Sequence, residues 1–592
     1  MSSLELAVIG NCNYGALVDR HGRVVWCCLP HFDRDPCFCA LLGGAKSDTG
    51  MFEIELIDVV RSEQFYWRNS AVLETRLYDS GGGAIAIVDF APRFKQFGRA
   101  FRPIMLIRRV RPLAGAPRIR VRVRPRYDYG AGTPEVTRGS NHIRYVMPVR
   151  TLRLTTDAPV SYVLEEVPFV LAGPLDLVLG TDESIALALS DMTREFAERT
   201  DAYWRDWCRG LSLPMEWQEA VIRAAITLKL MSFEDTGAII AAMTTSIPEA
   251  PDTARNWDYR YCWLRDAAFV VSALNRLSAT RTMELYLDYL VNIVSAGDGT
   301  LLPVYGILHE SSLPEREIAA LPGYRDMGPV RVGNAAWAQV QNDGFGSIIL
   351  ACAPSYFDRR LDRPGDEALF LRLENLGEQA ARLWNQPDAG IWEFRGRLAV
   401  HTHSAVLCWA ACDRLALVAG SLGLEARRLQ WRQRADEMRE QVLAEAWNPA
   451  VQSFTSTFGG AGIDASLLLL PAFGILSAQD PRFLATLKRI EQELRRGPFL
   501  LRYREADDFG TPTTAFTVCS FWYVDALDSV GRSEEARALF ETLLARRNHV
   551  GLLSEDLDFE SGELWGNFPQ TYSMVGLIHT ATRLSKPWPL TF

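Results

Sequence analysis

No apolar run in the 592-residue sequence is long enough to cross a bilayer. The longest, around Ala465–Leu476, falls well short of the roughly 18–20 residues that a spanning helix needs. No secretory leader is expected, since the first basic residue is Arg20 and no basic-then-apolar pattern precedes it. Basic charge is not in excess: 63 Lys and Arg stand against 72 Asp and Glu, for a net charge of −9. A dedicated nucleic-acid binder needs a net basic surface and is therefore excluded. Cysteine is sparse and odd in number, eleven in all, and includes the adjacent pair Cys27-Cys28 and the close pair Cys37 and Cys39. A chain of this length needs no disulfide staples, so reduced thiols and a cytoplasmic location are expected. Cys408 and Cys412 share a helix face, but no second Cys/His pair lies at metal spacing, so they read as core residues. No metal and no organic cofactor is expected.

What is present is ordinary globular material, 48% hydrophobic and 23% charged, with sixteen tryptophans. At about 150 residues per domain the length calls for two to four folding units. From Leu6 to about Ser190 short apolar runs such as Ala84–Phe90 and Ile143–Pro148 alternate with Gly, Pro, Asp and Asn turns, the punctuation of a β-sandwich over residues 1–190. Arg118–Arg124 alternates with period two, placing Ile119, Val121 and Val123 inward and the arginines on a solvated face with acidic cross-strand partners. Near Asp191 the period turns helical, and residues 191–215 read as a connecting amphipathic helix.

Residues 216–592 contain twelve helix-length segments: 216–233, 266–278, 281–296, 334–353, 367–385, 401–419, 424–446, 463–476, 478–494, 512–528, 533–546 and 568–584. Several are apolar on more than one face and need neighbours on several sides. No repeated unit supports a solenoid. Six hairpins closed into an (α/α)6 toroid is the expected architecture.

Chemistry gathers in the loops of this helical scaffold, as is usual. Asn256–Asp266 packs four aromatics and four charges into eleven residues, and its adjacent Arg265 and Asp266 can clamp sugar hydroxyls, one donating and one accepting. Asn334–Gly344 opens a helix with amides, Trp337 and the carboxylate Asp343. In Pro387–Gly396, Glu393 stands between Trp392 and Phe394. Partial desolvation there would keep it protonated as a general acid must be, provided Arg395 points elsewhere. His401 and His403 fall on different helix faces and do not form a chelating pair. Gly551–Asp558 clusters carboxylates suited to an ionised base holding a water.

Taken together with Ile9–Asp19, Trp26 and Leu29–Asp33, these segments resemble glycoside hydrolase family 15, in its bacterial trehalase-like branch, over essentially the whole chain. The resemblance implies an N-terminal β-supersandwich followed by an (α/α)6 catalytic barrel, and exo-acting hydrolysis of α-glucosides with inversion. It makes Glu393 the general acid and Glu555 the general base, and it assigns Arg265 and Asp266 to the grip on the terminal glucose. Trp337 becomes an aromatic wall with Gln341 and Asp343 beside it, and Trp263, Trp392 and Arg395 complete the substrate-binding set. Two departures stand out: Thr514-Ala515 replace an acidic residue and glycine before Phe516, and His31 stands where arginine is usual. The first leaves the subsite beyond the terminal glucose open.

The expected substrate is a small α-glucoside, α,α-trehalose first, with glucoamylase or isomaltose-type activity as the alternative. A disaccharide phosphorylase or an inactive carbohydrate-binding protein are the further readings. No nucleic-acid or membrane partner is expected, and a homo-oligomer is left open.

Overall fold

The computed structural model describes residues 4–45, 47–296 and 301–587, so the outermost residues of the expected 1–190 and 216–592 spans lie outside the described residues. Two antiparallel sheets form the N-terminal domain. A seven-stranded sheet runs in the order Leu6–Gly10, Gly15–Asp19, Val24–Cys28, Met51–Leu56, Arg118–Arg124 and Phe169–Val170, with Pro36–Phe38 paired to Val24–Cys28. An eight-stranded sheet has Met105–Ala114 between Leu175–Thr181 and Ala84–Phe90 near its middle.

Ala84–Phe90 is apolar on both faces for a structural reason. Ile85 and Ile87 point into the main core, while Val88 and Phe90 join a second cluster with Met192 and Ala197 of the helix Leu189–Arg209, which lies on the other side of that sheet. On Arg118–Arg124, Ile119 and Val121 are fully buried. Arg120 pairs with Glu55 at 3.1 Å, Arg122 with Glu53 at 2.8 Å, and Arg124 with Glu166 at 2.6 Å, so the arginine face is neutralised by its neighbours.

Twelve helices follow among the described residues: α1 (Gln218–Leu230), α2 (Leu264–Arg276), α3 (Thr280–Ala296), α4 (Asp343–Cys352), α5 (Glu367–Leu383), α6 (Thr402–Ser421), α7 (Glu425–Glu445), α8 (Leu470–Phe473), α9 (Pro481–Leu494), α10 (Thr517–Ser529), α11 (Ser533–Leu544) and α12 (Thr571–Leu584). The even-numbered helices form an inner ring in which each packs on the next, α8 meeting α10 through the preceding turn Ala465–Leu469, and α12 returns to α2 to close it. The odd-numbered helices lie outside. Their one-sided burial matches that position, as in α9, where Phe483, Leu487, Ile490 and Leu494 fall at helical spacing. Uninterrupted apolar runs predict no spanning segment, yet helix α6, although it contains Asp413 and Arg414, is long and apolar enough overall to cross a membrane; it is an inner helix buried on nearly every side by its neighbours.

Three expected helices differ. Residues 334–342 are not α-helical: Asn334 caps the short 3₁₀ turn Ala335–Ala338, the chain then extends, and α4 begins at Asp343. The segment 463–476 is the 3₁₀ turn Ala465–Leu469 followed by the single turn α8, which ends at Gly474 in a left-handed conformation (φ 89°). Helix α10 starts at Thr517, because Ala515-Phe516 form a strand against Asp556-Leu557.

Connections from inner to outer helices are short, as in residues 277–279, 422–424 and 530–532. Those from outer to inner helices are long, including 231–263, 384–401 and 545–570. All the long loops therefore gather at the end of the ring where the inner helices begin. The β-domain braces this end. Trp26 Nε1 donates to Met243 O at 2.9 Å, and the buried Arg260, ion-paired to Asp258 at 2.7 Å, donates to Arg34 O at 2.9 Å.

Candidate active site

A pocket at the mouth of the ring is lined by residues from five of the long loops, among them Glu249, Trp257, Tyr259, Trp263, Glu393, Arg502 and Glu555. Arg265 and Asp266 reach it from the first turn of α2, and Tyr572 from the first turn of α12.

Glu393 sits at the tip of a tight turn with φ at 59°, a left-handed conformation that non-glycine residues adopt mainly where function over-determines it. The turn is held by Glu393 N on Gly390 O at 3.1 Å and by Phe394 N on Ala389 O at 3.2 Å. Asp388, at its base, accepts from Asn342 N at 2.8 Å and Ser404 Oγ at 2.7 Å. Because the chain turns so sharply, the flanking aromatics diverge. Trp392 donates its indole N–H to Asp464 at 2.9 Å, and Phe394 stacks on His401. The surroundings of the Glu393 carboxyl come instead from elsewhere in the chain. Its Oε1 accepts from Trp263 Nε1 at 2.7 Å, Arg265 Nη2 at 3.1 Å and Gln341 Nε2 at 3.3 Å. Its Oε2 accepts no hydrogen bond among the described residues, and the side chain is 22% exposed. Arg395 does not oppose this arrangement. It pairs with Glu315 at 2.7 Å and lies over the Trp257 ring at 4.8 Å.

Glu555 has the opposite surroundings. It is fully buried, accepting from Tyr259 Oη at 2.7 Å on Oε1 and from Asn567 N at 3.2 Å on Oε2. Glu249 and Asp556 lie close enough to make a three-carboxylate cluster. Burial, and then those two neighbours, push its carboxyl well above the usual range, while Arg502 pulls the other way. Arg502 is ion-paired to Glu249 and lies 3.8 Å from Asp556, whose carboxyl burial raises to about 8. Thr514 donates to Asp556 Oδ1 at 3.0 Å. The loop also needs Gly566: at φ 73° any Cβ there would lie 2.7 Å from that of Glu555.

Arg265 bridges the two halves, donating to Tyr572 Oη at 3.2 Å, Gln341 Oε1 at 2.9 Å and Glu393 Oε1. Asp266 Oδ1 is ion-paired to Arg265 Nε at 3.3 Å, its only such pairing among the described residues. Burial raises its carboxyl to about 6.

Of the residues singled out from sequence, the structure brings Trp263, Arg265, Asp266, Trp392, Glu393, Arg395 and Glu555 to one pocket. Three lie behind it. Gln341 reaches Glu393 from below, and Asp343 backs Arg265 at 3.4 Å. The expectation of Trp337 as a wall is corrected: its 3₁₀ turn directs it to an apolar cluster with Tyr259, Trp263 and Leu313, and its neighbours Asn334, Ala336 and Gln339 line the pocket instead. Sequence reading missed Glu249, Tyr259, Arg502 and Tyr572. Tyr259 lay within the aromatic-rich segment already singled out, whereas Glu249 and Arg502 carried no local signal. His401 and His403 are each lowered to about 4 by burial and serve the packing, and all eleven cysteines are buried and unpaired.

Comparison with known proteins matches the same two halves. The family model "Glycosyl hydrolases family 15" covers residues 216–582, and "Trehalase-like, N-terminal" covers residues 3–159. The trehalase of Thermoplasma volcanium is 32% identical over 98% of this chain and 93% of its own. That of Mycobacterium tuberculosis is 32% identical over 98% and 89%. A bacterial glucoamylase solved in complex with acarbose shares the fold, with a TM-score of 0.70 at 14% identity over 99% of this chain and 94% of that one. With a catalytic-domain match that spans the whole helical ring and relatives aligned nearly end to end, the chain belongs to glycosyl hydrolase family 15.

Proposed function

We propose that this hydrolase cleaves α,α-trehalose with inversion, with Glu393 as general acid and Glu555 as general base. The observation that carries the division of roles is the hydrogen bonding of Glu393. The Trp263 indole and the Arg265 guanidinium can only donate, so the oxygen they hold cannot be the protonated one, and Oε2 is the oxygen that carries the proton when the group acts as an acid. In the reaction this proton passes to the glycosidic oxygen as the C1–O bond breaks. Water attacks C1 from the opposite face and gives its proton to Glu555. The two carboxyls share no donor among the described residues: Glu555 is held by Tyr259 and Glu393 by Trp263, two rings in edge contact with centroids 5.3 Å apart. This suits an inverting pair, which needs about 6.5–9.5 Å for the water, against roughly 5–5.5 Å in a retaining pair.

Asp266 lines the pocket beside Arg265, and its carboxylate is the acceptor for a hydroxyl of the terminal glucose. The second glucose has a polar rim in Arg255, Asp507, Asp508 and Arg395. That rim and the end-to-end likeness to proteins named trehalase support a disaccharide substrate. Phosphorolysis is disfavoured because three carboxylates occupy the place where phosphate would enter. The buried, unpaired cysteines support a reducing, cytoplasmic setting.

The test is ¹H NMR during the first turnovers on trehalose. Inversion releases one β-glucose from the attacked unit and one α-glucose from the leaving unit. Two α-glucoses would overturn the mechanism. Activity on maltose or isomaltose without any on trehalose would overturn the substrate and leave the mechanism standing.

A further inference from the structure

Far from the active-site pocket, a cleft of about 990 Å³ lies on the seam where the β-domain, the connecting helix and the ring meet. Four arginines line it: Arg68 from the β-domain, Arg209 at the end of the connecting helix, Arg223 from α1, and Arg547 after α11. Among the described residues only Arg209 has an ion-paired carboxylate partner, Asp206 at 2.7 Å. The Arg223 guanidinium lies 3.6 Å over the Tyr66 ring and donates Nη2 to Ser70 O at 2.7 Å, leaving Nη1 with no acceptor. Arg547 donates Nε to Leu544 O at 2.9 Å, and its two terminal nitrogens make no hydrogen bond among the described residues. A Cβ built on Gly551 would lie 3.3 Å from Arg223 Cγ and 3.7 Å from Arg547 Nη1, so the Arg547 head lies near the aliphatic stem of Arg223 at this wall of the cleft. The acidic lining residue Glu219 comes within 4.0 Å of neither. Glu541, which neighbours Arg547, is engaged by the Trp217 indole at 2.7 Å, and His549 is turned to Glu5 and Gln64. Burial lowers both Arg223 and Arg547 from the usual arginine range. Holding two partly buried cations in one cleft without an ion-paired carboxylate is costly, and an anion in the cleft reduces that cost.

We propose that this cleft binds a phosphate group, held in the planar forks of Arg223 and Arg547 with Arg68 closing from the β-domain. Arginine forks match the tetrahedral oxyanion through paired N–H donors. Because the site takes residues from both domains, occupancy bridges the seam and stabilises the folded chain by mass action.

The experiment follows the thermal midpoint of the full-length protein at pH 7.5 and constant ionic strength, with chloride replaced stepwise by inorganic phosphate or, separately, by glucose 6-phosphate. A saturable rise with either probe is expected. Tighter binding of the ester assigns the site to a phosphate ester, and equal binding assigns it to free phosphate. Arg223→Gln and Arg547→Gln should each weaken binding at least tenfold. Arg68→Gln, at an exposed position without partners, should weaken it about threefold while leaving the fold intact. Arg428→Gln, on the outer surface of α7, should change nothing. No saturable rise with either probe, or a rise equal in wild type and in the Arg68 and Arg547 variants, overturns the proposal.

Discussion

Glu393 and Glu555 are the same side chain placed in two different settings. Glu393 rests on a strained turn at the open side of the pocket, with one oxygen held by three N–H donors and the other left free. Glu555 lies at the bottom, wholly buried, between two more carboxylates and Arg502. The comparison teaches that the role of a carboxyl is set by which of its oxygens is occupied and by the charges around it, neither of which its own sequence neighbours supply. Trp392 and Phe394, the neighbours that should have desolvated Glu393, turn away to Asp464 and His401.

The strongest test of that contrast replaces each carboxyl by its amide. Glu393→Gln and Glu555→Gln should each lower kcat by about 10²–10⁴-fold, the range for losing a general acid or base. A substrate with an activated leaving group, such as α-glucosyl fluoride, needs little protonation and should partly rescue Glu393→Gln alone. Equal rescue of both variants would erase the division of roles. The next effect in size belongs to Asp266, which lines the pocket next to Arg265. Asp266→Ala should lower kcat/KM by about 10–150-fold, because a hydrogen bond to a charged group contributes roughly 1.5–3 kcal/mol. Unchanged kcat/KM on every α-glucoside would return Asp266 to a structural role at the start of α2.

Tyr259 sharpens the comparison from the side of the base. Its hydroxyl favours the ionised form of Glu555, so Tyr259→Phe should raise the Glu555 carboxyl further. The base works only when deprotonated, and the acid limb of the kcat/KM profile should therefore move to higher pH, by about half to one unit, with activity on the plateau reduced only a few-fold. A fixed acid limb with a lower plateau would mean that the hydroxyl contacts substrate and does not tune Glu555.

How much of this was legible in the sequence follows from the range of each interaction. The ring could be read because burying a helix on several sides leaves a periodic mark within twenty residues. The pair Arg265-Asp266 and Glu393 stood out because aromatic and charged residues crowd around them locally, whereas Glu555 was one of several carboxylates in its loop until the family resemblance singled it out. Arg502 and Glu249 meet across 253 positions, and no local pattern encodes that. Trp337 was misplaced for a related reason. The run Ala335–Gln341 has good helix formers, yet Asn334 donates to Asp258 O at 3.2 Å, while Gln339 and Gln341 are drawn out to the backbone and carboxyl of Glu393. These tertiary bonds extend the chain and outweigh propensities of at most about 0.7 kcal/mol per residue.

The smallest effect should appear beneath the acid's turn, at Asp388, and it concerns stability more than rate. This carboxyl is fully buried, its Oδ1 has no hydrogen-bond partner among the described residues, and burial raises it to about 7. A group raised in the folded state contributes stability that is complete below its unfolded value near 4 and is lost as pH climbs through 7. Asp388→Asn keeps an oxygen for Asn342 N and Ser404 Oγ but cannot ionise, so it should remove this part of the pH dependence. Asp266 and Asp556 drift the same way in both proteins, so the informative quantity is the difference between variant and wild type. The amide nitrogen, itself without an acceptor, should leave the variant less stable at pH 4–5, by about 1–3 kcal/mol. The gap should narrow or reverse by pH 8, while kcat stays within a few-fold because the turn and Glu393 are retained. A constant gap from pH 4 to 8 in thermal or denaturant unfolding would show that Asp388 is already ionised at the low end, and that the acid's turn rests on a charge in the same way that the base's loop does.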